Sequence, residues 1–173
     1  MQAAMSHEQA PQGAEGEALT QACVDAVGTG GGLGAVAGCS DAECESLYAI
    51  GYGLYTQGRH ADALQIFGLL VLLRSLEHRF VFSFAACLQV LGRHEEAINH
   101  YATALVIDTD DPAPLLHLTE CLVALQRLEQ AHDSLATLST EYPSDEFPEL
   151  AVKAARLLRL IEKEEVHLKG GKS

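Results

Sequence analysis

GRHADALQIF (58–67), GRHEEAINHY (92–101) and QRLEQAHDSL (126–135) are three versions of one phrase, each 34 residues after the last. The phrase opens on a turn residue, Gly58 and then Gly92, with Gln126 standing in the third copy. An alanine follows at Ala63, Ala97 or Ala131, and four residues later a large side chain, Phe67, Tyr101 or Leu135. Working outward, Cys44, His78 and Pro112 begin three units that align without a gap, with Leu54, Leu88 and Leu122 at one shared position. Each unit shows apolar residues at helical spacing, a break, and helical spacing again. The small residue lets two antiparallel helices approach, the large one fills the space beside it, and glycine accepts a turn conformation that other residues resist. One such helix pair cannot bury its own face, so the pairs must stack.

The 34-residue period and these residue types are the tetratricopeptide pattern. The expected fold is all-α: three tandem tetratricopeptide-like helix pairs forming a concave solenoid, with a weak N-terminal helix and a C-terminal capping helix. Ser40 and Glu43 form a capping box that should start the first helix, which then runs to about Gln57. Repeats and cap together are expected over residues 41–165. Before them, residues 1–16 read as a disordered acidic arm and 17–40 as an N-terminal helix and glycine-rich segment. Leu19, Cys23, Val24 and Val27 lie on one side of that helix, and GTGGGLG (28–34) breaks it. The last helix is expected after Pro143, with Asp145, Glu146 and Glu149 in its first turn and Lys163 and Lys169 near its end. Leu150, Ala154, Leu157, Leu158 and Ile161 give it an apolar stripe. Its bases read as a solvated face, and residues 166–173 as a flexible tail.

Composition narrows the function. The chain of 173 residues has a formal charge of -13, which opposes binding to nucleic-acid phosphates and to anionic membrane surfaces. No Lys or Arg precedes Arg59, and all four lysines fall between Lys153 and Lys172. Five cysteines form no CxxC pair, which suits a reducing compartment better than a disulfide framework. The start of the chain lacks the basic and apolar regions of a secretory signal, and a cytoplasmic location is expected.

Sites for chemistry are missing from the pattern. The eight histidines do not fall at the spacing that puts two imidazoles on one metal ion. The glycine run has neither a GK[ST] ending nor a GxGxxG match, and no GxSxG is present. His117 and Cys121 share a helix face, but Cys121 occupies a packing position, where a buried thiol is expected. No enzymatic activity, cofactor or metal is expected.

Binding remains. In the first helix of the first unit, Leu47, Ile50, Gly51 and Leu54 are placed to pack. Residues there turn by about 100° each, so Tyr48, Tyr52 and Tyr55 form a second stripe beside them. The same positions hold Phe82, Ala86 and Gln89 in the second unit and Leu116, Glu120 and Val123 in the third. An apolar, tyrosine-rich trough suits an extended peptide, because tyrosine offers contact area and a hydroxyl at small entropic cost. The peptide-binding residues expected are Tyr48, Tyr52, Tyr55, Phe82, Gln89, Leu116 and His117. Arg79 is the main cation near the trough, with Glu45 and Glu120 beside it, so a clamp for a terminal carboxylate is not expected.

At LYAIGYGLYTQGRHADALQIFGLLVLL, RFVFSFAACLQVLGRHEEAINHYATAL and PLLHLTECLVALQRLEQA the chain resembles the class II chaperones of bacterial type III secretion. The first stretch follows that family's LYxxAYxLYxxGxxxxA pattern, and the resemblance covers roughly residues 20–165. It implies a small cytoplasmic chaperone that binds a hydrophobic translocator and keeps it soluble until export. It also implies a grip on a P-x-L-x-x-P-like segment in the concave groove, and a homodimer formed through the N-terminal helix. A general tetratricopeptide scaffold in another assembly is the alternative, and the tyrosine stripe favours the chaperone.

Overall fold

The computed structural model describes residues 40–170. The arm expected at 1–16, the helix at 17–27 and the glycine run lie outside the described residues. Seven helices follow one another among those described: α1 (Asp41–Thr56), α2 (His60–Leu73), α3 (His78–Val90), α4 (His94–Ile107), α5 (Ala113–Ala124), α6 (Leu128–Glu141) and α7 (Pro148–Gly170). They pair as α1/α2, α3/α4 and α5/α6, and α7 packs on the last pair. The fold is all-α, as expected from the repeat.

The turns explain the pairing. Gly58, Gly92 and Gln126 take φ values of 78°, 77° and 59°. In each turn this residue donates its N–H three residues back, and the following arginine donates five residues back, at 2.9–3.0 Å. That is the Schellman arrangement, which satisfies the free carbonyls at a helix end. Each turn arginine then reaches the residue three further on: Arg59 meets Asp62, Arg93 meets Glu96 and Arg127 meets Gln130. At the start of the stack the capping box is present in full, with Ser40 and Glu43 each bonded to the other.

Close packing follows the predicted positions. Ala63, Ala97 and Ala131 are fully buried, and Phe67, Tyr101 and Leu135 are buried beside them. A complementary position runs Gly51, Ala85, Thr119, all buried. A Cβ on Gly51 would stand 2.9 Å from the Phe67 ring, so the large phenylalanine requires a glycine opposite it. Cys87 and Cys121 are buried as expected, and burial pushes their thiols up to about 11 and about 12.

Three expectations need correction. Ile50 is 54% exposed; its repeat equivalents Phe84 and Leu118 pack between units, but no described helix precedes α1. The last helix starts at Pro148 rather than just after Pro143. Proline suits the first helical position and disfavours helix in the residue before it, and residues 143–147 form a separate turn on the Pro143 carbonyl. α7 also runs to Gly170, past the boundary at 165, because no Gly or Pro interrupts it until then. Its apolar stripe holds: Leu150, Ala154 and Ile161 are buried against the third repeat, with Leu157 and Leu158 partly so.

Candidate peptide-binding face

α1, α3 and α5 carry the candidate residues, and the structure sorts them into two clusters and one exclusion. The first cluster lies on α1. Tyr52 is 57% exposed, and its ring stacks on Tyr48 with centroids 6.4 Å apart. Tyr48 is half-buried, because it also packs on Phe67 at 5.7 Å and Phe80 at 5.6 Å. It therefore belongs partly to the core, which the reading of the stripe as separate from the packing positions did not anticipate. Tyr55 is half-buried too, edge-on to His60 at 5.0 Å, and burial raises its pKa.

Arg79 closes this end. Its guanidinium lies 5.1 Å from the Tyr48 ring centre and 4.9 Å from that of Phe80, and it is bonded to Glu45 and Glu77. The Glu45 partnership raises the arginine further above its usual range and holds the Glu45 carboxyl low. A cation so neutralised is a poor clamp for an incoming carboxylate.

The second cluster joins three predicted residues through two others. The Tyr101 hydroxyl of α4 donates to Gln89 Oε1 at 2.6 Å, and Gln89 Nε2 donates to Glu120 Oε2 at 2.8 Å. His117 Nδ1 lies 3.0 Å from the same oxygen. His117 also stacks on Tyr101, and Phe82 meets both rings edge-on, all with centroids 5.5 Å apart. The bond from His117 and that from Gln89 lower the Glu120 pKa against the opposing effect of its burial. Aromatic faces here surround an ionised, half-buried carboxylate. Tyr101 was assigned to packing alone; its hydroxyl was the available signal, since a buried tyrosine needs a partner.

Leu116 is the exclusion. It is 2% exposed and sits in the core that α5 and α6 share with α7, so it offers no surface to a peptide. A cleft of about 580 Å³ lies elsewhere, lined by Leu105, Leu115, Tyr142 and Phe147 with Asp110, Glu141 and Glu146, and none of the candidate residues borders it.

The tetratricopeptide repeat family matches residues 91–158. No curated protein sequence matches the chain. Among solved structures, the chain is similar to one from a type III secretion complex of Aeromonas hydrophila. The identity is 31% over 86% of this chain and 98% of that one, with a TM-score of 0.73. It is also similar to the Yersinia enterocolitica type III secretion chaperone SycD, solved with a peptide of the translocator YopD. There the identity is 28% over 73% and 97% of the two chains, with a TM-score of 0.67. PcrH of Pseudomonas aeruginosa, solved with the chaperone-binding region of PopB, is 31% identical over 69% of this chain and 98% of that one, with a TM-score of 0.62. SycD has also been solved as an alternative dimer.

Proposed function

The chain belongs to the type III secretion translocator chaperones, and from that premise we propose that it holds an extended segment of a hydrophobic translocator across α1, α3 and α5. The observation that carries this is the exposed Tyr52 stacked on Tyr48, continued by Phe82, Gln89 and His117 on the next two first helices. Tyr48, Tyr52, Tyr55 and Phe82 supply apolar area. Gln89 and His117 supply polar edges through Glu120. The role is binding without catalysis, in the cytoplasm, and it suits a partner whose apolar helices would otherwise associate. SycD and PcrH, solved with translocator segments, support this reading, and the SycD dimer supports a homodimer for this chain.

Co-expression with a translocator carrying long apolar helices tests it, reading the translocator's solubility. Wild type should keep the translocator in solution. Tyr52→Ala should release it at a cost of about 2 kcal/mol in binding, as interface anchors do, with melting within about 0.5 kcal/mol of wild type. Equal rescue by both would keep the chaperone and move the site off Tyr52. No rescue by either would favour the scaffold.

A further inference from the structure

The two clusters on the candidate face share their parts, and only the first contains a cation. There the Arg79 guanidinium lies over the Tyr48 and Phe80 rings, 5.1 and 4.9 Å from their centres, and is bonded to the Glu45 carboxylate. A cation in that setting gains twice, from the negative faces of the rings and from the charge of its acceptor. At the second cluster the Phe82, Tyr101 and His117 rings gather beside Glu120. The rings and the carboxylate are present, but no Lys or Arg among the described residues forms an ion pair with Glu120.

Glu120 has capacity left for such a partner. The contacts from Gln89 and His117 both end on Oε2. Oε1 accepts no hydrogen bond from a described residue, and it is not a buried atom. The Glu120 side chain is 34% exposed and that of His117 33%, and Phe82 and Gln89 are half-buried beside them. An ionised carboxylate accepts through both oxygens, so one acceptor stays open to an incoming chain. Lys153 of α7 helps to hold the carboxyl ionised from a distance, yet forms no ion pair with it. A neutral hydroxyl or amide would bond Oε1 but leave its half-buried charge uncompensated. A Lys or Arg side chain does both tasks, its head on the carboxylate and its methylene stem along the rings.

We propose that the face of α3 and α5 around Glu120 is a subsite for one basic side chain of the bound translocator segment. Glu120 Oε1 receives the ammonium or guanidinium, and the Phe82 and His117 rings flank its stem. The subsite rests on the peptide-binding reading given above and adds a charge requirement to an otherwise apolar trough.

Titration of the full chain with terminally blocked peptides tests this. The peptides follow the P-x-L-x-x-P pattern, with alanine at every x, and with Lys or Glu at each x and each flanking position in turn. At about pH 8, where free imidazole is neutral, one position should favour Lys over Ala about tenfold and disfavour Glu by a similar factor. In Glu120→Gln the Lys-over-Ala ratio at that position should fall to about one. The all-alanine peptide should keep its affinity for this variant within about twofold, which also reports an intact fold. Tyr52→Ala, in the first cluster, should weaken every peptide alike and preserve the ratio. Binding of the all-alanine peptide with no position favouring Lys would overturn the subsite and keep the groove. A gain for Lys that is equal at all positions and survives Glu120→Gln would overturn it too, because the net charge of -13 attracts any cationic peptide. If no peptide bound at all, the groove and its subsite would fall together.

Discussion

Position five of the repeat is Tyr48 in the first unit, Phe82 in the second and Leu116 in the third. Tyr48 and Phe82 keep accessible surface, while Leu116 is 2% exposed. The other end shows the converse at position seven: Phe84 and Leu118 pack between units, while Ile50 is 54% exposed. Repetition sets where a side chain starts, and the next helix decides whether it becomes core or surface. α7 covers the third repeat, but no described helix covers α1. The first two repeats therefore carry the candidate aromatic face, and the third contributes its polar edge and the anchor for the cap.

The strongest way to break that comparison is Leu116→Ala. If α7 makes Leu116 core, the variant should lose about 2–5 kcal/mol, as large-to-small changes in cores do. Thermal unfolding would show it directly. A melting curve matching wild type would return Leu116 to the binding face and remove the distinction between the two ends.

Gly51→Leu probes the packing of the first repeat. The Phe67 ring already crowds a Cβ at residue 51, so the larger side chain should destabilise by about 1–3 kcal/mol. Combining it with Phe67→Leu should recover part of the loss, since the two sites share one space. Without recovery, the tight Gly51–Phe67 contact would not be the cause.

A smaller effect distinguishes the polar edge. The Glu120 carboxyl is held below the usual carboxylate range in the folded chain, chiefly through the bond from His117. A lowered carboxyl pKa contributes stability above the unfolded value and loses it as pH falls through the folded one. Denaturant melts from pH 6 downward should therefore show Glu120→Gln losing less stability than wild type below about 4.5. Parallel curves would mean that the His117–Glu120 contact does not tie folding to protonation.

Much of this architecture could be read from residues alone, for a physical reason. Ala63, Ala97 and Ala131 mark close contacts wherever they recur, and Ser40 with Glu43 marks a helix start through purely local bonds. Tyr52 was legible as a surface aromatic because its place on the helix suffices to expose it. Leu116 and Ile50 were not, because each depends on a neighbour outside the repeating pattern, whereas the start of α7 was signalled locally by Pro148, which the reading from Pro143 passed over. Tyr101 was placed correctly as packing, yet its bond to Gln89 depends on one hydroxyl that no periodicity encodes.

The turn residues provide the finest version of the comparison, since the backbone there is the same while the residue differs. Gly58 and Gln126 both take left-handed φ values, and no atom would crowd a Cβ on Gly58. Local conformation is therefore the main difference between them. A side chain in this region costs roughly 1–2 kcal/mol, which glycine avoids, while glycine loses about 0.5–1 kcal/mol more chain entropy on folding. The strain is about twice the entropy cost, leaving a gain of about 0.5–1 kcal/mol for Gln126→Gly and a similar loss for Gly58→Gln. Equal and opposite shifts in melting would show that the first and third turns are interchangeable. A loss in Gln126→Gly would instead mean that the Gln126 side chain supports the third turn in a way the glycines of the other two cannot.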